Sequence, residues 1–292
     1  MAWAEVNTSD DWPSLRGVLH GIGESDRLAC RGQAGDYGGG TLYSTLDRAL
    51  MQSGIDGEMA TTVERVSIQR FYQLAPNYLP PQELSHLADG TSLLTLMRHY
   101  RAPTRLVDWS ESIWIAVFSA ASADWDDDGI VWIFDRERFD AIVTERHGAE
   151  IGRVTETARW QGTPVPAVSL YELTPWVCRL VGLGPRIPRV IAQQSMFTIG
   201  SRLGMDHSAF IDSVLPEDAD RPTKRVVRIP RELKPKIMKE LARMGITANS
   251  LFPGIDGVGQ SLQAFAHYAG LDDAVRLVAQ SGGGRLEKAP PV

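Results

Sequence analysis

Between residues 99 and 110 the chain gathers His99, Tyr100, Thr104, Arg105, Asp108, Trp109 and Ser110, a density of titratable and hydrogen-bonding side chains that points to a polar pocket. His99 is suited to proton transfer, because its ordinary pKa lies close to neutrality. Asp108 offers a carboxylate able to stabilise developing positive charge, and Trp109 could stack on a planar ring. Arg31 is a second focus. It sits in the apolar run Leu28-Ala29-Cys30-Arg31-Gly32-Gln33, where an unpaired guanidinium is costly, so it must meet either a buried carboxylate or an anionic ligand. Its planar fork suits phosphate, and Gly32 would let a ligand approach the backbone. Structural alternatives exist for each residue. Asp108 stands three residues before Glu111, as in a capping box, a histidine at a helix end can bind carbonyls, and Arg31 could form an ordinary salt bridge.

The segment Asp124-Trp125-Asp126-Asp127-Asp128-Gly129, with Asp135 six residues after the glycine, approaches a calcium-loop pattern. Trp132 and Phe134 fall where such a loop should wind round its ion, so an acidic turn ahead of a buried strand is the simpler reading. Lys224-Arg225-Val226-Val227-Arg228 alternates charge with valine and reads as a strand with a solvated face before it reads as a nucleic-acid patch. Cys30 lacks a paired base and reads as core. With two cysteines and no zinc-type spacing, neither a disulfide framework nor a metal is expected. The net charge of -6 supplies no global basic field for nucleic acid. No run of apolar residues is long enough to span a bilayer, so a cytoplasmic protein without membrane association is expected.

These residues need a scaffold. At 292 residues, with 43% hydrophobic and 23% charged, the chain can bury a substantial core. Helical spacing predicts helices over 9–21, over 58–75 through Val63, Val66, Ile68 and Phe71, and over 91–100 through Leu93, Leu94, Met97 and Tyr100. Residues 76–81 read as a proline-broken turn. A helix over 111–121 precedes Ile130-Val131-Trp132-Ile133-Phe134, a run too apolar to face water on either side and therefore an interior strand. A short segment follows Pro103 at 104–108, and further strands are expected at 28–33, 165–171, 192–199 and 225–229, helices at 235–244 and 257–268, and an acidic surface loop at 205–222. The tail from 281 is expected to fray.

Three stretches resemble the FRG domain family, named for a Phe-Arg-Gly triplet. They are Cys30-Arg31-Gly32-Gln33, with cysteine for the aromatic; Met97-Arg98-His99-Tyr100-Arg101-Ala102-Pro103-Thr104-Arg105-Leu106-Val107-Asp108-Trp109-Ser110, with Arg101 where glycine is usual; and Pro185-Arg186-Ile187 through Ala192-Gln193-Gln194-Ser195-Met196-Phe197, with Ser195 in a glycine's place. Leu251-Phe252-Pro253-Gly254-Ile255-Asp256-Gly257 resembles the closing motif. The resemblance spans about 25–265. It divides the chain into an N-terminal helical segment at 1–24, an FRG domain at 25–270 and a flexible tail at 271–292.

The layout is also similar, more distantly, to ADP-ribosyltransferase folds. That similarity implies an α+β single domain, a mixed, mostly antiparallel sheet flanked by helices. It implies NAD as cofactor and no metal, with Arg31, Gln33, Tyr100, Thr104, Arg105, Trp109 and Ser110 binding the cofactor and Asp108, Gln193 and His99 taking part in catalysis. Gln193 stands where those enzymes carry an acidic residue, and glutamine cannot supply the charge. The implied function is an ADP-ribosyltransferase-like enzyme acting on a macromolecule, protein or nucleic acid, as a bacterial toxin or phage-defence effector. The alternative is a non-catalytic nucleotide-binding sensor or interaction module. A nuclease using His99 and Asp108 is disfavoured, because no second carboxylate stands at metal-ligand spacing.

Overall fold

The computed structural model describes residues 3–6, 11–25, 27–37, 39–88, 90–160, 177–181, 187–216, 222–273 and 275–277. The strand expected at 165–171 and the tail from 281 lie outside the described residues, as do Pro185 and Arg186.

In chain order the elements are β1 (Ala4–Val6), α1 (Trp12–Gly23), β2 (Leu28–Gln33), α2 (Thr45–Gln52), α3 (Gly57–Leu74), α4 (Gly90–His99), β3 (Leu106–Ser110), α5 (Ile113–Ala121), β4 (Gly129–Asp135), α6 (Arg136–Trp160), β5 (Cys178–Val181), α7 (Pro188–Ala192), β6 (Ser195–Gly200), α8 (His207–Val214), β7 (Lys224–Ile229), α9 (Lys234–Arg243), α10 (Ala248–Leu251) and α11 (Ile255–Tyr268). The strands form one sheet in the order β1-β7-β4-β2-β3-β6-β5. Only β1 and β7 run parallel; the remaining neighbours are antiparallel. The fold is therefore α+β, a seven-stranded mixed sheet flanked by helices. Among the described residues no helix is long and apolar enough to cross a membrane.

The apolar run in β4 works as its composition requires. Val131 and Ile133 enter one core with α1, α5, α9 and α10, while Ile130, Trp132 and Phe134 enter a second core on the opposite face with α6 and α8. A period of two under helices on both faces leaves no solvated side. A third cluster packs α3 and α4 against β3 and β6.

Helix α5 lies unusually close to the sheet. A Cβ on Gly32 would stand 1.8 Å from the Ala116 carbonyl oxygen, and one on Gly129 would stand 2.2 Å from that of Ala120. Gly32 thus serves helix-on-strand packing, and it also borders the cleft described below.

Several local expectations change as well. Residues 207–214 are helix α8, not loop, capped by the Asp206 carboxylate accepting from the Ser208 amide; the polar composition hid the apolar face of Ile211 and Val214. On α3 the buried stripe is Ala60, Glu64 and Ile68, while Val66 is 39% exposed, because the helix turns a carboxylate inward. Lys224 is buried and donates to the Asp212 and Leu215 carbonyls, each at 2.9 Å, so of the three cations on β7, Lys224, Arg225 and Arg228, Arg228 is the exposed one. In the acidic turn, the Lys234 ammonium donates to the carbonyls of Ala34, Ala123 and Asp124 at 2.7, 3.0 and 2.7 Å. A side-chain cation thus satisfies the backbone carbonyls at the start of the turn.

Candidate ligand-binding cleft

The site is built where the sheet parts. Strands β2 and β3 are neighbours but pair only at Cys30↔Ser110, so a ladder position beside Asp108 is left open. Arg31 fills it. Its Nη1 donates to the Asp108 carbonyl at 2.9 Å and lies 3.6 Å from the Asp108 carboxylate. The guanidinium thereby replaces a missing backbone donor as well as finding the counter-charge that its apolar surroundings demand.

Asp108 lies mid-strand in β3, and the N-cap of α5 is Ser112, so the capping alternative falls away. Its carboxylate is held mainly by Arg98, whose Nε lies 3.0 Å from both oxygens and whose Nη2 donates at 2.6 Å. Arg98 extends from the last turn of α4 and also donates to Thr45 Oγ1 of α2 at 3.4 Å. Burial alone would push the Asp108 pKa up, but Arg98, Arg31 and Arg189 hold it below the ordinary carboxylate range. Burial pulls Arg31 down to about 10, with Asp108 opposing, whereas the Asp108 charge raises Arg98.

Around this group is a cleft of about 330 Å³ bordered by Arg31, Arg98, His99, Arg101, Asp108, Ser110, Arg189, Gln193 and Phe252 among others. Such a volume is at the lower end of ligand sites. Four arginines and one carboxylate border the cleft, a surplus of three positive charges. His99 borders the cleft with Nδ1 buried and no hydrogen-bond partner. Burial, then Arg189, lowers its pKa from 6.5, which leaves the imidazole neutral and able to accept a proton near pH 7. Ser110 Oγ donates to the Gln193 carbonyl at 2.8 Å, and Gln193 Nε2 donates to the Leu251 carbonyl at 3.1 Å, tying the α7–β6 turn to the end of α10.

Arg31, His99, Asp108, Ser110 and Gln193 are therefore brought together from distant parts of the chain. The other candidates are not. Arg105 is buried and bonded to Glu64 through Nε at 2.8 Å and Nη2 at 2.5 Å, and to the Gly200 carbonyl at 2.9 Å. Gln33 accepts from Trp132 Nε1 at 2.7 Å inside the sheet. Trp109 borders the cleft, but its indole is buried against Phe134 at 4.7 Å and donates to Thr198. Thr104 is buried, its carbonyl accepting from the Leu46 amide at 3.2 Å. Tyr100 is 46% exposed, and its hydroxyl donates to Glu83. Strand alternation explains Trp109, since Asp108 and Trp109 are neighbouring positions of β3 and face opposite sides.

A family model described as the FRG domain matches residues 26–129. The chain carries an FRG domain. No curated protein and no solved structure matches the chain. Within the FRG segment the triplet position taken by Cys30 is buried against α5 in the first core, which is why an apolar side chain serves there; burial raises its thiol pKa to about 12. Arg101, at the position where the resemblance expects glycine, has φ +63°, the left-handed region that glycine enters without cost. Its guanidinium borders the cleft.

Sequence reasoning did not single out Arg98, Arg101, Arg189 or Phe252. Arg98 and Arg101 lie inside the FRG signature, seven and four residues before Arg105, and that spacing of cations was the available signal. Arg189 and Phe252 join the cleft only through tertiary contact.

Proposed function

We propose that the cleft binds NAD through its diphosphate and that the chain is an ADP-ribosyltransferase-like enzyme acting on a macromolecular acceptor. The observation that supports this most is the surplus of three guanidinium charges around a single carboxylate, since planar, fixed donors suit bidentate phosphate binding. In the reaction, the bond from ribose C1′ to the nicotinamide nitrogen breaks with its electron pair passing to the ring. The acceptor's nucleophile forms the new bond to C1′ and gives up a proton, which neutral His99 would take. The work is positioning and charge stabilisation more than covalent chemistry. Asp108 orients Arg31 and Arg98 for the diphosphate. As a toxin or phage-defence effector, such an enzyme would meet its acceptor, protein or nucleic acid, in the cytoplasm.

One observation favours a second reading, a nucleotide-binding sensor without turnover. The Asp108 carboxylate is engaged by Arg98 and Arg31, and Gln193 offers no charge in its place.

Nicotinamide release from NAD, with and without cell lysate, separates the two. Release that is lost in Arg31→Ala and Asp108→Asn supports the enzyme. Saturable NAD binding without release supports the sensor, and the absence of both in lysate removes NAD.

A further inference from the structure

Guanidinium groups alone do not distinguish a nucleotide from free pyrophosphate, because both present the same oxygens. One wall of the cleft adds a different chemistry. Arg189 of α7 lays its guanidinium over the ring of Phe252, with Cζ 4.5 Å from the ring centroid, and both residues border the cleft. No carboxylate forms a salt bridge with Arg189 among the described residues, so ion pairing does not account for where it lies. A flat cation has two faces, and the phenyl ring occupies one.

The platform is held from several sides. The Phe252 amide donates to the Ala248 carbonyl at 2.8 Å. Its own carbonyl lies so close over α11 that a Cβ on Gly257 would stand 2.0 Å away. The preceding Leu251 carbonyl accepts from Gln193, and Arg189 Nη1 reaches the His99 carbonyl at 3.4 Å. Guanidinium planes of this kind stack well on nucleobases and other heteroaromatic rings.

We infer that the cleft takes a ligand whose planar heteroaromatic ring stacks on the open face of Arg189 while its phosphates meet Arg31 and Arg98. The ligand class is then a nucleotide and not a sugar phosphate or free pyrophosphate. This rests on the phosphate-binding reading of the same cleft. Arg189 and Phe252 act as specificity determinants, with Arg189 touching the ligand and Phe252 holding it flat.

Calorimetric titration of the full-length chain with ADP-ribose and, separately, with inorganic pyrophosphate tests this without any substitution. ADP-ribose should bind about five- to a hundredfold more tightly, the range expected for one stacked base. Arg189→Lys keeps the charge and loses the plane, so it should abolish that preference while retaining pyrophosphate binding, and Phe252→Leu should reduce the preference. Far-ultraviolet circular dichroism confirms that each variant is folded. Equal affinity of the unaltered chain for both probes overturns the stacking inference and leaves the anion cleft standing, as does an Arg189→Lys variant that weakens both probes equally. If neither probe binds the unaltered chain, the phosphate reading falls and this inference falls with it.

Discussion

Replacing Glu64 by glutamine tests whether Arg105 belongs to the scaffold or to the site. Both side chains of the pair are 2% exposed, so the carboxylate is the counter-charge of a guanidinium that water barely reaches. Glutamine preserves the shape and one acceptor, but it turns an amide NH₂ toward the Arg105 donors and leaves the positive charge uncompensated. Removing one partner of a buried pair costs about 3–5 kcal/mol. That is a large part of a typical folding stability, and for a chain of this size it corresponds to a fall of about 5–10 °C in Tm. The double replacement Glu64→Met with Arg105→Met removes both charges together and should recover most of the loss. The Gly200 carbonyl would still lack its donor, at a residual cost of about 1 kcal/mol. Thermal unfolding followed by circular dichroism gives the stability, and calorimetric titration with ADP-ribose well below Tm gives the binding. Glu64→Gln should lower Tm and leave the dissociation constant within about twofold, since a scaffold change leaves cleft contacts in place. An unchanged Tm with lost binding would mean that Arg105 meets the ligand, and the scaffold assignment would be wrong.

Two further predictions concern stability near the cleft. His207 is buried with Nδ1 2.8 Å from Thr198 Oγ1, and its pKa is pushed down from 6.5 to about 4 by burial, helped by Arg31 and Arg105 and opposed by Asp47 and Asp206. The unfolded chain therefore takes up a proton that the folded chain refuses, and stability falls as pH drops from about 6.5 to 4, by about 3 kcal/mol in all; guanidinium unfolding of the unaltered chain and of His207→Gln across that range should give a shallower pH dependence for the variant, and equal slopes refute the assignment. Arg101→Gly should relieve the left-handed strain and raise stability by about 1 kcal/mol while weakening pyrophosphate binding; a lowered Tm would show that the side chain, not the backbone conformation, dominates at this position.

Periodicity made much of the scaffold legible. The spacing of Trp12, Leu15 and Leu19 places α1, and the unbroken apolar run 130–134 places an interior strand, because burial on two faces leaves no polar positions. Helix α8 was illegible for the opposite reason: Asp206, His207, Ser208 and Asp212 make its sequence polar, yet His207 and Ser208 are buried and satisfied by tertiary partners. Within the signature, the Thr-Arg-x-x-Asp pattern announced polar importance but not its direction. Residues three apart across a loop and into a strand face different surroundings, so Arg105 turns into the scaffold and Asp108 into the cleft.

By itself, then, the amino-acid sequence determined that an arginine in β2 needed a partner, since its charge is not stable alone in apolar surroundings, and that an aspartate shortly after Pro103 lay in a polar cluster. Only the tertiary structure decided that they are each other's partners, with Arg98 as the stronger one. The cause is long-range: a single paired position between β2 and β3 opens the sheet, and α7 and the end of α10 bring Arg189 and Phe252 from the far end of the chain to its rim.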